Sequence, residues 1–158
     1  MRYNNRIAIV SLTGHLLFLF AFILLHFLRP DKSAMSNFTS EFAIGDFGWM
    51  MTLGFLGITI GAFFLATGLL IHFKASKTTT IALGLWFLGM LVVALFKTDI
   101  PGEKVTATGL IHGFAALIAF ISLGIAMIAW GSVFRKNNWN SMGQLSRIFG
   151  VISLILFI

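Results

Sequence analysis

The 158-residue sequence contains no cysteine and only five acidic residues. The first absence excludes a disulfide framework, an iron–sulfur cluster, a thiolate zinc site and a cysteine nucleophile, so any metal would need histidine and carboxylate ligands. Charge of either sign is scarce. Charged residues make up 10% of the chain, against about 25% in soluble globular domains, and 58% is hydrophobic. With a mean hydropathy of +0.97, the composition excludes a soluble globular domain and identifies an integral membrane protein.

The net charge of +6 does not point to nucleic acid. The eleven Lys and Arg residues stand in short clusters at the ends of apolar blocks. That is the pattern of topology control and of contact with the anionic headgroups of membrane lipids. The blocks follow one another too closely to leave room for a separate soluble domain, so 1–158 reads as a single membrane domain.

The first block runs from Ile7 to Leu28. At about 1.5 Å per residue it reaches roughly 33 Å, enough for the hydrocarbon core. It lacks the short apolar centre and small-residue cleavage site of a signal peptide and reads as a retained first span. Further spans are expected at 49–73, 79–96 and 108–134. The block 148–158 stops after eleven residues, about 16 Å of helix and too short to cross. The expected fold is all-α: a polytopic transmembrane helical bundle with four full spans plus an incomplete fifth, the chain being either a fragment or completed by another element.

Loop charges set the expected orientation. Arg2, Arg6, Lys74, Lys77, Arg135, Lys136 and Arg147 fall on one side with no acid. The other side carries Arg29, Lys32, Lys97 and Lys104 together with all five acids. The positive-inside rule makes the first side cytoplasmic, with the N-terminus inside and the polar loops 29–48 and 97–107 facing outward from the plasma membrane. Pro101-Gly102 marks a turn in the second loop.

Small residues mark where helix backbones approach in lipid. Gly57 and Gly61 stand at GxxxG spacing in the second span, and Gly109 and Gly113 open a small-residue run in the fourth that continues through Ala115, Ala116, Ala119, Ser122 and Ala126. Packing inside the bundle is the expected use of these pairs, with association between copies the alternative. His112 shares the face of Gly109, Ala115, Ala116 and Ala119, and should look into the bundle. His15 and His26 are eleven residues apart, about 20° from three whole turns, so they share one side of the first span. His15 lies near mid-membrane, where an ionisable group must be neutral and hydrogen-bonded. His72, beside Lys74, belongs at the headgroup level.

These positions assemble an outward constellation. It takes His26, Arg29, Asp31, Ser33, Ser36, Ser40, Glu41 and Asp46 from the first helix end and loop, with Asp99 and His112 from the second loop and fourth span. Four readings stay open. The residues form a hydrogen-bonded plug; or a pocket for a headgroup or small anion, with Arg29 as the planar anchor; or a hydrolytic site in which His26, His112 and a carboxylate act with or without a metal; or a bis-histidine haem site. No H-E-x-x-H or H-x-x-x-H pair supports the third, and no cofactor is implied.

Arg29-Pro30-Asp31, the run Ser36 to Ala43 and Gly48-Trp49 resemble the opening of the DUF998 family of prokaryotic polytopic membrane proteins. Phe96-Lys97-Thr98-Asp99, Pro101-Gly102 and Gly109-Leu110-Ile111-His112-Gly113 are similar to its second polar signature. The resemblance implies a small helical bundle, commonly of about six spans, in the plasma membrane, and implies no established function. Combined with the residue reading, it gives the working expectation of an outward-facing pocket for a lipid headgroup or small anionic ligand. That pocket would be lined by His26, Arg29, Asp31, Ser36, Ser40, Glu41, Asp99 and His112. A membrane-embedded hydrolase and a structural or accessory subunit are the alternatives.

Overall fold

The computed structural model describes residues 2–157. They form five α-helices: α1 (Arg2–Leu28), α2 (Gly48–His72), α3 (Lys77–Leu95), α4 (Ala107–Lys136) and α5 (Asn140–Phe157). A 3-10 helix, Thr39–Ala43, interrupts the loop between α1 and α2. Four helices are long and apolar enough to cross a membrane: α1 from Asn5, then α2, α3 and α4.

Local chemistry sets the boundaries. Pro30 stands two residues past the α1 end and disfavours helical geometry at Arg29, the residue before it. Ser76 caps α3 by accepting from the Thr79 N–H, and Thr106 caps α4 by accepting from the Gly109 N–H. The fifth helix begins earlier than the apolar pattern suggests, at Asn140 rather than 148. Only three residues separate it from α4. Asn138 turns the chain there with φ of 64°, a left-handed conformation asparagine tolerates. Gln144 and Arg147, which read as connection, ride on the helix because its packed face is made of glycines.

Neighbouring helices pack in sequence order. The α1–α2, α3–α4 and α4–α5 contacts are extensive and the α2–α3 contact is smaller; among the described residues no two non-consecutive helices approach closely along their backbones, and the ring of Phe73, the C-cap of α2, reaches Trp130 and Phe134 of α4. Each extensive seam is built on residues without bulk. A Cβ on Gly14 of α1 would overlap the carbonyl oxygen of Gly57, and one on Gly61 would lie 2.7 Å from the His15 ring. In the α3–α4 seam, Gly89 rests on the Ala115 carbonyl and the Ala119 methyl. Between α4 and α5, Gly131 faces Gly143 and Gly124 faces Gly150, the pairs lying seven residues apart on each helix. That heptad step keeps one antiparallel seam closed over two levels. Midway, the Ser146 hydroxyl donates to the Met127 carbonyl at 2.6 Å. In lipid such close backbone approach supplies dispersion contact where a hydrophobic driving force between helices is missing.

Candidate functional site

The loop between α1 and α2 is organised by Arg29, which is 9% exposed. Its Nε and Nη2 donate to the two carboxylate oxygens of Asp31, at 2.9 and 2.7 Å. Its Nη1 donates to the carbonyls of Ile44 and Asp46, at 2.7 and 2.9 Å. Gly45, between those carbonyls, has φ of 74°, and a Cβ added to it would lie 3.7 Å from the guanidinium nitrogens. A side chain there would be strained by the backbone, although its Cβ would make only ordinary contact with the arginine. The Asp31 hydrogen bond holds Arg29 above its ordinary pKa, and the same bond lowers that of Asp31.

Glu41 is the second anchor, only 3% exposed. It accepts from the Phe38 N–H at 2.8 Å, from Asn37 Nδ2 at 2.7 Å and from Lys32 Nζ at 3.3 Å. Reaching back to Phe38 is the carboxylate half of a capping box for the 3-10 helix. Burial pushes the Glu41 carboxyl up, but the three donors together outweigh it, and it lies below its ordinary value. The 3-10 helix then drops fully buried Phe42 onto α1, where its ring stacks on His26 at 4.8 Å. Nδ1 of His26 donates to the Phe22 carbonyl at 2.7 Å, and its Nε2 is buried without a hydrogen-bond partner.

Asp99 and His112 belong to a separate group. Asp99 accepts from both the hydroxyl and the N–H of Thr106, at 2.6 and 3.0 Å, and its carboxylate sits where a Gly109 side chain would be. It is a cap on the first turn of α4, where negative charge meets the positive end of the helix dipole. The Thr106 hydrogen bonds lower its pKa. His112, 5% exposed, donates from Nδ1 to the Phe96 carbonyl at 2.7 Å and ties α4 to the end of α3.

Of the eight residues in the sequence-derived pocket, His26, Arg29, Asp31 and Glu41 thus share the first loop and its helix end, while Asp99 and His112 share the second. Ser36 is exposed, and Ser40 is half-buried in the 3-10 helix. Among the described residues α4 packs against neither α1 nor the 3-10 helix, so His26 and His112 sit in elements that do not meet. Nor does any group of three histidine, aspartate or glutamate side chains among the described residues come together as a metal site.

The opposite end of the α1–α2 pair holds a cleft of about 480 Å³. Its walls include Ala8, Ser11 and His15 from α1, Gly68 and His72 from α2, and Trp139 from the turn before α5. Nδ1 of His15 donates to the Ser11 carbonyl at 2.7 Å, which leaves Nε2 as an acceptor in the neutral ring. Sequence reasoning identified His15 as a group needing a partner but did not find the cleft. The signal was present in the small residues that line it, Ala8 and Ser11 on α1 and Gly68 on α2.

Four membrane-length helices, capped at one end by self-paired polar loops and cleft at the other, define a polytopic α-helical membrane protein. The chain belongs to the DUF998 family, described as proteins of unknown function, whose family model matches residues 12–158. Comparison with curated proteins and with solved structures returns no match.

Proposed function

We propose that the protein binds a membrane lipid in the cleft between α1 and α2, and that the loops at the other end act as a fixed seal. The observation that carries this reading is a mid-span histidine, His15, lining a cleft whose other walls are mostly apolar. Counted from Asn5, His15 is about 15 Å along the span. A ring acceptor at that depth suits a hydroxyl or amide donor on an amphiphile whose chain fills the apolar walls. The charge asymmetry of the loops turns this end of the bundle toward the cytoplasm, with the N-terminus inside and the host bilayer being the plasma membrane.

The competing reading is the outward pocket for a headgroup or small anion anchored by Arg29. It is less well supported because four guanidinium N–H groups are already committed to Asp31, Ile44 and Asp46. The hydrolase reading lacks a meeting of His26 with His112.

The test is native mass spectrometry of lipid retained by protein purified in mild detergent. Ala8→Trp, which fills the cleft from an exposed wall position, should strip the retained lipid, and Arg29→Lys should leave it in place. The reverse result would transfer the binding site to the outer loops. Lipid retained by both variants would leave the seal and accessory role as the function.

A further inference from the structure

We infer a second binding site, for a phosphate group, between the α4 end and the start of α5. Sequence and seam together build it. Gly131-Ser132-Val133-Phe134-Arg135 and Gly143-Gln144-Leu145-Ser146-Arg147 repeat a G-x-x-x-R pattern, one copy on each helix. The helices run antiparallel with Gly131 facing Gly143, so each arginine crosses to the other helix's glycine. A Cβ on Gly131 would overlap Cγ of Arg147, and one on Gly143 would lie 2.6 Å from Cγ of Arg135. The glycines therefore act as seats for the two aliphatic stems. This reciprocal packing brings both arginines to one open surface groove of about 630 Å³, lined also by Asn140, Gln144 and Ile148, all of them exposed. A neighbouring groove of about 360 Å³ shares Arg135, Asn140 and Arg147 and adds Ser132 and Lys136.

What the groove lacks is a counter-charge. Among the described residues neither guanidinium has an ion pair or hydrogen bond; the only ion pairs are Arg29–Asp31 and Lys32–Glu41. All five acids of the chain lie in the two loops at the far end. Along α4 that separation exceeds 40 Å by the rise of about 1.5 Å per residue, several times the Debye length of about 8 Å in physiological salt. Charge placed only to orient the chain needs no paired, glycine-seated stems. Two planar forks with carboxamides beside them match the oxygens of a phosphate monoester or diester, which accept several N–H bonds at once. The phosphate of an anionic phospholipid and free phosphate share this chemistry.

The experiment follows Trp fluorescence, Trp139 being next to Asn140, on the whole protein in neutral detergent. Short-chain phosphatidylglycerol, short-chain phosphatidylcholine and inorganic phosphate are titrated separately. Arg135→Gln and Arg147→Gln should each weaken phosphate-dependent binding about tenfold or more, as expected when one member of a charge pair is removed. Lys74→Gln, a basic site outside the groove, should change it less than about twofold. Arg147→Lys keeps the charge and a long stem but not the fork, and should also bind weakly; it stands in if Arg147→Gln fails to fold. Saturation by phosphatidylglycerol but not by inorganic phosphate identifies a lipid headgroup, and saturation by both identifies a general phosphate site. Equal losses in the arginine variants and Lys74→Gln, or wild-type binding by Arg147→Lys, would overturn the site and reduce the cluster to diffuse positive charge.

Discussion

Replacing Arg29 by alanine tests whether the first loop is held by one side chain. Its Nη1 bonds to the Ile44 and Asp46 carbonyls close a stretch of chain that returns from the 3-10 helix to α2. Hydrogen bonds involving a charged partner are worth about 1.5–3 kcal/mol each, and two on one nitrogen are not additive. The ion pair to Asp31 contributes little, since that side chain is 57% exposed and water competes for it. The expected loss for Arg29→Ala is therefore about 2–4 kcal/mol. By the scaling for chains of this size that is roughly 5–15 °C in melting temperature. Thermal unfolding in detergent, read by tryptophan fluorescence, is the assay, with Asp31→Asn as the control that removes only the exposed partner. Arg29→Lys should fall between, because a single ammonium lacks the fork that spans both carbonyls and the carboxylate. If Arg29→Ala melts with Asp31→Asn, the carbonyl bonds do not hold the loop and the reasoning fails.

Two further outcomes are expected. Glu41 and Asp99 both titrate below their ordinary values, so the stability they contribute is fully present at neutral pH. It should decline as pH falls through the ordinary carboxyl value of about 4 and be gone below the depressed native values. Melting curves from pH 7 to 3 should show that decline, and Glu41→Gln should flatten it; an unchanged slope would mean Glu41 is not the group responsible. Gly14→Leu should destabilise by more than the usual 1–3 kcal/mol of core overpacking, because its side chain would meet the backbone of Gly57 rather than a movable side chain. Wild-type melting of that variant would show that the α1–α2 seam is looser than its geometry.

The spans were legible in the sequence because apolar length alone identifies a membrane helix. Four helices long and apolar enough to cross are present, and the caps Ser76 and Thr106 set where α3 and α4 begin. The burial of His112 followed from the small-residue stripe it shares. The division of the polar residues into two groups was not legible. Depth along a helix says that His26 and His112 are at a similar level but not that α1 and α4 fail to touch, which depends on the order of packing. Arg29 read as an available anchor because its carbonyl partners, Ile44 and Asp46, are backbone groups that leave no mark in composition. The start of α5 was hidden for a related reason. Its buried face is glycine, which carries no hydrophobic signal, so a polar-looking stretch turned out to be helix.

Packing in sequence order has a consequence for biosynthesis. Because α1 contacts no helix beyond α2, its glycine crossing can form as soon as α2 has left the ribosome, before α3 exists. The α4–α5 seam, with its two arginine seats, forms last, and the ring of Phe73 at the end of α2 waits to pack on Trp130, Phe134 and Trp139. Assembly is then a series of local hairpin closures of low contact order, each short in loop entropy. An error in one seam would leave the earlier hairpin folded in the bilayer, so quality control would meet a half-assembled protein rather than an unfolded chain.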